Sequence, residues 1–343
     1  MIRFEEHYSL KPYNTFGVEA GARYFFEFTE TQDLQEFIRS NKTISEEKIL
    51  VLGGGSNLLL VDDFDGLVLH PAVPGIETVR EDSRQVWLRA GAGVVWDDFV
   101  QFVVASGWGG VENLSLIPGN VGATPVQNIG AYGQEAAAVI DSVAGVDLRT
   151  GEEWEIAARD CRFGYRNSLF KNELKGRFVI TSVDFRVEKF PELKLHYSGL
   201  EEEVQKLGEP SVATVRQAVV AIRQSKLPDP ATLGNAGSFF KNPVVSQQQA
   251  DRLIARYPEI PVYPAGEGTV KLSAGWLIDR CGWKGVRRGD AGVHEKHALV
   301  LVNYGKASGR EIFSLSEEIS HSVAETFGVT LEREVNVAGR EIR

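Results

Sequence analysis

The sequence predicts a mixed helix-and-strand protein of two or three subdomains, and three observations carry that expectation. At 343 residues the chain is long for a single core, and its apolar content is ample for more than one. Apolar residues recur with a period of two in some stretches and at i, i+3, i+4 in others, so strands and helices share the chain. The run Gly53-Gly54-Gly55-Ser56-Asn57 follows a strand signal but fails as a Rossmann fingerprint. Leu58 occupies the place of the third glycine, and the following LLLV reads as strand rather than helix.

Residues 22–29, ARYFFEFT, read as a strand, and Leu34, Phe37 and Ile38 mark a short amphipathic helix behind a Thr29-to-Gln32 capping box. KILVLGG is a second strand entering the glycine run, which completes a β-α-β unit. Trp96, Phe99, Val100 and Val103 share a helical face that stops near Gly107. SVAGVDLRTGEEWEIA reads as a hairpin turning at Thr150 and Gly151, and RFVITSVDFRVE as a long strand. From Lys189 to Pro210 charge, glycine and proline loosen the pattern, which sets a domain boundary between 187 and 188. Val215, Ala218, Val219 and Ile222 then form a helical stripe ended by LPDP, and Ser246 with Gln249 opens a further helix. The last helix runs from Ser308 to about Phe327, and LEREVNVAG reads as a closing strand over about 331–338.

The formal net charge of -10 argues against nucleic acid as a partner, since phosphate binding needs concentrated Lys and Arg. MIRFEEHYSLKPYNTF has acidic residues early and no apolar core of signal-peptide length, and no run elsewhere approaches a membrane span. A cytoplasmic protein without membrane insertion is expected, with a monomer as the default. Cys161 and Cys281 are too few for a disulfide framework or a cysteine metal site and read as buried, inert thiols. His294 and His297 flank Glu295 in HEKH, which lacks the HExxH spacing and a third ligand, so no metal is expected. No Walker A sequence is present to cradle a transferring phosphate.

The segment Pro118 to Gly133, PGNVGATPVQNIGAYG, combines repeated glycines with uncharged hydrogen-bonding side chains and holds no Lys or Arg. Gly119, Gly122, Gly130 and Gly133 let backbone approach a flat polar cofactor, and Thr124, Gln127 and Asn128 can address its heteroatoms. A glycine-rich surface loop is the alternative. The GGGSN turn can form an anion nest for a pyrophosphate, or simply join two strands. In CRFGYRNSLFK, Arg166 can offer its planar fork to a carboxylate or lie over Tyr165. In GNAGSFFKNP, Ser238 lacks a GxSxG elbow but can donate a proton to a developing carbanion, or bond to nearby backbone. Glu332 and Glu334 fall on one face of the closing strand, as an acid or anchor or as solvated side chains. Arg223 and Lys226, at a helix end, can meet a phosphate or complement the helix dipole.

Taken together, NTFGV from Asn14, GGGSNLL from Gly53, PGNVGATPVQNIGAYG, CRFGYRNSLF, GNAGSFFKNP, KLSAGWLID from Lys271 and LEREV closely resemble the UDP-N-acetylenolpyruvoylglucosamine reductase (MurB) family of bacterial peptidoglycan precursor synthesis. The resemblance covers nearly the whole chain. It implies an α+β fold with an FAD-binding portion of the vanillyl-alcohol-oxidase (PCMH) type over 16–187, in two subdomains of about 1–70 and 71–187. A C-terminal α+β substrate-binding domain would follow over 188–343, its last strand returning to the active site.

The same resemblance implies that FAD is held noncovalently by Gly53, Gly54, Gly55, Ser56 and Asn57, together with Gly119, Gly122, Ala123, Thr124, Gln127, Asn128, Gly130, Ala131, Tyr132 and Gly133. It implies NADPH as electron donor and UDP-N-acetylglucosamine enolpyruvate as the substrate reduced. Ser238 would protonate C2 of the enolpyruvyl group. Arg166 and Glu334 would stabilise the enolate-like carboxylate, the glutamate as a protonated partner or through the arginine. Tyr197 would belong to a mobile element closing over the UDP-sugar, as in the longer, type I members, with Arg223, Lys226 and Asn242 as further substrate contacts. The chain departs from the family pattern at His297, where an amide facing the uridine is common, and at Arg333, where a proline is common. A flavin oxidase or dehydrogenase of the same fold, and a catalytically inactive UDP-sugar or nucleotide-binding regulator, are the alternative readings, because fold does not fix function.

Overall fold

The computed structural model describes residues 2–41, 47–197 and 199–339. Its packing divides into two compact units. Unit 1 comprises Met1–Tyr8, Ala22–Gly54 and Asp65–Ser225, and unit 2 comprises Ser9–Gly21, Gly55–Phe64 and Lys226–Arg343.

Unit 1 carries two sheets. Strands Ile2–Ser9, Gly21–Phe28, Phe64–Pro71 and Ile49–Val51 lie side by side in that order, and helix Thr31–Ser40 buries Leu34 and Ile38 in a cluster with Phe26, Leu67 and Leu69. Phe37 stacks on Phe26 with ring centroids 3.9 Å apart. The expected Thr29-to-Gln32 box does not start this helix: Glu30 is the N-cap and makes no side-chain capping bond, so packing of the apolar face fixes the helix instead. The second sheet is antiparallel in the order Glu153–Ala157, Ile140–Asp147, Phe178–Glu188, Gln85–Gly91, Ile76–Glu81. The hairpin and the long strand form as read, with Gly151 N–H returning to the Asp147 carbonyl at 2.8 Å. Helix Trp96–Ala105 presses Trp96, Phe99, Val100 and Val103 onto this sheet's core, where the Phe99 and Phe185 rings lie 4.5 Å apart. Cys161 is fully buried there, and burial pushes its thiol up to about 12, with Asp160 adding to the shift. Cys281 is only partly buried.

The break expected at 188 differs from the division the packing makes. Leu200, Val204, Val215, Ala218 and Val219 form one apolar cluster with Tyr132, Leu193, Leu195 and Ile222 against it, which holds the segment up to Ser225 in unit 1. The loosened sequence after Lys189 is a crossing within one packed body rather than its edge.

Unit 2 holds an antiparallel sheet in the order Gly234–Ser238, Val300–Asn303, Ala291–Val293, Arg287–Arg288, and a smaller one of Val244–Ser246, Thr269–Leu272 and Val262–Pro264. Helix Gln247–Arg256 is capped by Ser246, whose hydroxyl accepts from Gln249 N–H, and helix Gly309–Phe327 by a full Ser308–Glu311 box. The expected closing strand is divided: Arg333 makes an antiparallel bridge with Phe240, and Asn336–Ala338 pairs parallel to Leu58–Leu60. The Arg333 guanidinium lies 4.4 Å from the Phe313 ring centroid and bonds Ser316 Oγ at 3.1 Å. No helix among the described residues is long and apolar enough to cross a membrane.

Candidate active site

In unit 1 the two glycine loops lie against each other. A Cβ at Gly54 would sit 2.7 Å from Asn120 Oδ1 and 3.2 Å from Gly119 Cα, and one at Gly122 would sit 2.6 Å from the Ala92 Cβ. Glycine at both positions lets the neighbouring segments approach closer than a Cβ would allow. The loop is also closed on itself. Gly122, Ala123 and Thr124 N–H groups donate to the Ala92, Asn120 and Val121 carbonyls, each at 3.0 Å. Thr124 Oγ1 donates to Val121 O at 2.8 Å. Asn128 Nδ2 donates to Glu135 Oε2 at 2.8 Å and Gly164 O at 3.2 Å, and its Oδ1 accepts from Ala137 N–H at 2.9 Å. Thr124 and Asn128 are both buried, and these bonds tie their polar atoms to the protein around them.

Arg166 joins this loop. Its Nη2 donates to the Gly130 carbonyl at 3.0 Å, and its guanidinium carbon lies 5.3 Å from the Tyr165 ring centroid, so the aromatic contact and a polar one coexist. Ser168 donates to Val126 O at 2.6 Å, pinning the arginine's segment beneath the loop. Arg166 has φ +53°, and Leu116 (+57°), Asn128 (+45°) and Tyr132 (+49°) are likewise left-handed. Each such residue costs of order 1–3 kcal/mol, and that strain gathers around one loop.

Tyr132, Tyr197 and Arg223 come together beside it. The two tyrosine rings meet edge-on at 5.2 Å, and Arg223 Nε donates to Leu116 O at 3.2 Å. Burial lowers the Arg223 pKa and raises that of Tyr132, and the pair oppose both shifts. Beyond Leu116, Asp97 accepts its N–H and takes a bidentate grip from Arg216 at 2.7 and 2.8 Å. The sequence reading passed over Glu112, Asn113 and Gln134, which are 2%, 2% and 6% exposed and wired into the same region. Polar residues in an otherwise apolar stretch, VENLSLI, were the available signal.

In unit 2, Ser238 ends strand Gly234–Ser238 just past a bulge, where Gly237 takes φ +68° and its N–H is held by Asn235 Oδ1 at 2.9 Å. The partly buried Ser238 hydroxyl makes no hydrogen bond to a described residue, so the alternative of a locally bonded hydroxyl is not what forms. Glu334 N–H donates to the carbonyl of Phe239, the residue after Ser238, at 2.8 Å. Its own carbonyl accepts from Asn57 Nδ2 at 3.3 Å. Asn57 thus holds the backbone of the candidate glutamate within unit 2. Glu332 pairs with Lys241 and is exposed, whereas Glu334 is partly buried.

Asn242 Oδ1 accepts the Ala274 N–H at 3.0 Å, which commits that oxygen to the start of helix Ala274–Arg280. His294 and His297 each bury an Nδ1 without a hydrogen-bond partner among the described residues. Burial lowers the His297 pKa, and His294, Lys226 and Lys284 lower it further, so the ring is neutral at pH 7. Among the described residues no group of three His, Cys, Asp or Glu could hold a metal ion.

The family of UDP-N-acetylenolpyruvoylglucosamine reductase C-terminal domains matches residues 229–338, and that of FAD-binding domains matches residues 22–156. The first stretch includes Ser238 and Glu334, and the second both glycine loops. A UDP-N-acetylenolpyruvoylglucosamine reductase of Chromobacterium violaceum is 50% identical over 97% of this chain and 98% of its own length. One from Flavobacterium johnsoniae is 47% identical over 98% of this chain and 100% of its own. The crystal structure of the Thermus caldophilus UDP-N-acetylenolpyruvylglucosamine reductase superposes with a TM-score of 0.68 at 25% identity, covering 99% of this chain and 100% of that one. The fold is accordingly the α+β, FAD-binding PCMH type, and the chain belongs to the UDP-N-acetylenolpyruvoylglucosamine reductase family of FAD-dependent oxidoreductases.

Proposed function

We propose that the protein reduces UDP-N-acetylglucosamine enolpyruvate to UDP-N-acetylmuramate in the cytoplasm, with NADPH as electron donor and FAD held noncovalently. FAD, held by the Gly53–Asn57 turn and the 118–133 loop, would supply a two-electron hydride carrier between NADPH and C3 of the enolpyruvyl group. Negative charge then grows at C2 and on the carboxylate, and each assigned residue answers part of it. Ser238 donates the proton to C2. Arg166 and Glu334 stabilise the enolate-like carboxylate. Tyr197, Arg223, Lys226 and Asn242 bind the UDP-sugar, and neutral His297 offers one donor and one acceptor to the uracil, as an amide would.

The observation that most supports this reading is the Ser238 hydroxyl, partly buried and uncommitted to any described residue. Turnover in D2O tests it: the product is expected to carry solvent deuterium at C2, and a product without it would exclude protonation there.

A further inference from the structure

We propose that Asn113 is a positioning residue for this reaction, a buried amide that fixes the 130–134 turn to the segment around Lys194. The proposal rests on the reading that the turn borders the flavin and that Tyr197 and Arg223 meet the substrate. Asn113 is 2% exposed and gives both hydrogens of its Nδ2, one to the Tyr132 carbonyl at 2.9 Å and one to the Lys194 carbonyl at 2.8 Å. Gln134 makes a second tie: its Oε1 accepts from Lys194 Nζ at 2.6 Å and its Nε2 donates to Gly110 O at 2.6 Å. Glu112 closes the group by accepting the Gly110 N–H at 2.6 Å. Tyr132, one end of the Asn113 clamp, is held left-handed at φ +49° while its ring meets Tyr197. A residue in that conformation stays there only if its surroundings over-determine it. Both Asn113 bonds end on backbone carbonyls, so the amide sets main-chain spacing and touches no reacting atom.

Asn113→Leu keeps the volume and removes both donors. In the holoenzyme, flavin bleaching by NADPH is expected to stay within about twofold of wild type, while the KM for UDP-N-acetylglucosamine enolpyruvate rises about tenfold or more, the scale of a small misplacement. A lowered Tm with both half-reactions and KM unchanged would make Asn113 merely structural and overturn the proposal, as would loss of FAD with equal damage to both half-reactions. Lys194→Met removes the part-buried Nζ tie to Gln134 and a positive charge acting on Glu112, and keeps the Lys194 carbonyl. It is expected to raise KM about threefold, and an unchanged KM there overturns the proposal even if Asn113→Leu fails to fold. Failure of the underlying reading is distinct: wild-type reduced enzyme would then not be reoxidised by the UDP-sugar at all.

Discussion

The Pro118–Gly133 loop of unit 1 and the Ser238–Glu334 region of unit 2 treat their polar groups in opposite ways. In the loop, Thr124 and Asn128 side chains and the N–H groups of 122 to 124 are committed to the protein, and strain at Asn128 and Tyr132 is locked in by those bonds. In unit 2 the Ser238 hydroxyl has no partner among the described residues, while the backbone around it is fixed by the bulge and by the Glu334–Phe239 bond. The first region is fixed in shape, and the second holds the hydroxyl to which the proposed function assigns the proton. A cofactor that must be held through many turnovers needs a wall that does not reorganise, whereas a proton donor needs a hydrogen not already given away.

The sharpest way to break that contrast is Ser238→Ala. Bleaching by NADPH should be unaffected, and reoxidation by the UDP-sugar should slow roughly 10²- to 10⁴-fold, the usual loss with a general acid. Unchanged reoxidation, read by rapid-mixing absorbance, would remove Ser238 from the chemistry. Arg166→Lys comes next. One ammonium cannot reproduce a two-toothed grip on a carboxylate, so turnover should fall about 100-fold, and a near-normal steady-state rate would make Arg166 a strut for Gly130 only.

Gly122→Val tests the loop as a wall. With a Cβ 2.6 Å from that of Ala92 something must shift, so the variant should lose about 1–3 kcal/mol of stability and purify with less flavin per chain. Full flavin content at the wild-type Tm would mean the close approach is incidental. The smallest effect concerns Asp97. Burial alone would raise its pKa, but the Arg216 pair and the Leu116 N–H outweigh this and hold it below the usual carboxylate range. A depressed folded pKa stabilises the protein above the unfolded value, near 4, and that stabilisation disappears as pH falls through the folded one. Asp97→Asn should therefore be less stable at neutral pH and show a flatter acid limb in Tm against pH. An acid limb as steep as wild type would exclude Asp97 as a contributor.

Helices and strands with an apolar rhythm were legible in the sequence: Trp96, Phe99, Val100 and Val103 are all buried on the expected face, and Ser246 and Ser308 cap the helices they were expected to cap. The Thr29 box was not, because a local motif cannot announce that packing of Leu34 and Phe37 will set the helix start. Nor was the division of the closing strand, since Arg333 and Asn336–Ala338 pair with segments distant along the chain. At the site, glycine spacing marked the loop, yet residue type alone could not tell that Thr124 and Asn128 would face inward. Asn113 was invisible for the same reason: its partners are backbone carbonyls, which every sequence possesses.

The most direct test of the central claim is anaerobic stopped-flow absorbance of the purified protein at its flavin band, adding NADPH and then UDP-N-acetylglucosamine enolpyruvate. Bleaching by the first and rapid recovery with the second is the predicted result. Bleaching without recovery would contradict the proposed substrate, and no flavin band even after FAD is supplied would contradict the cofactor wall itself.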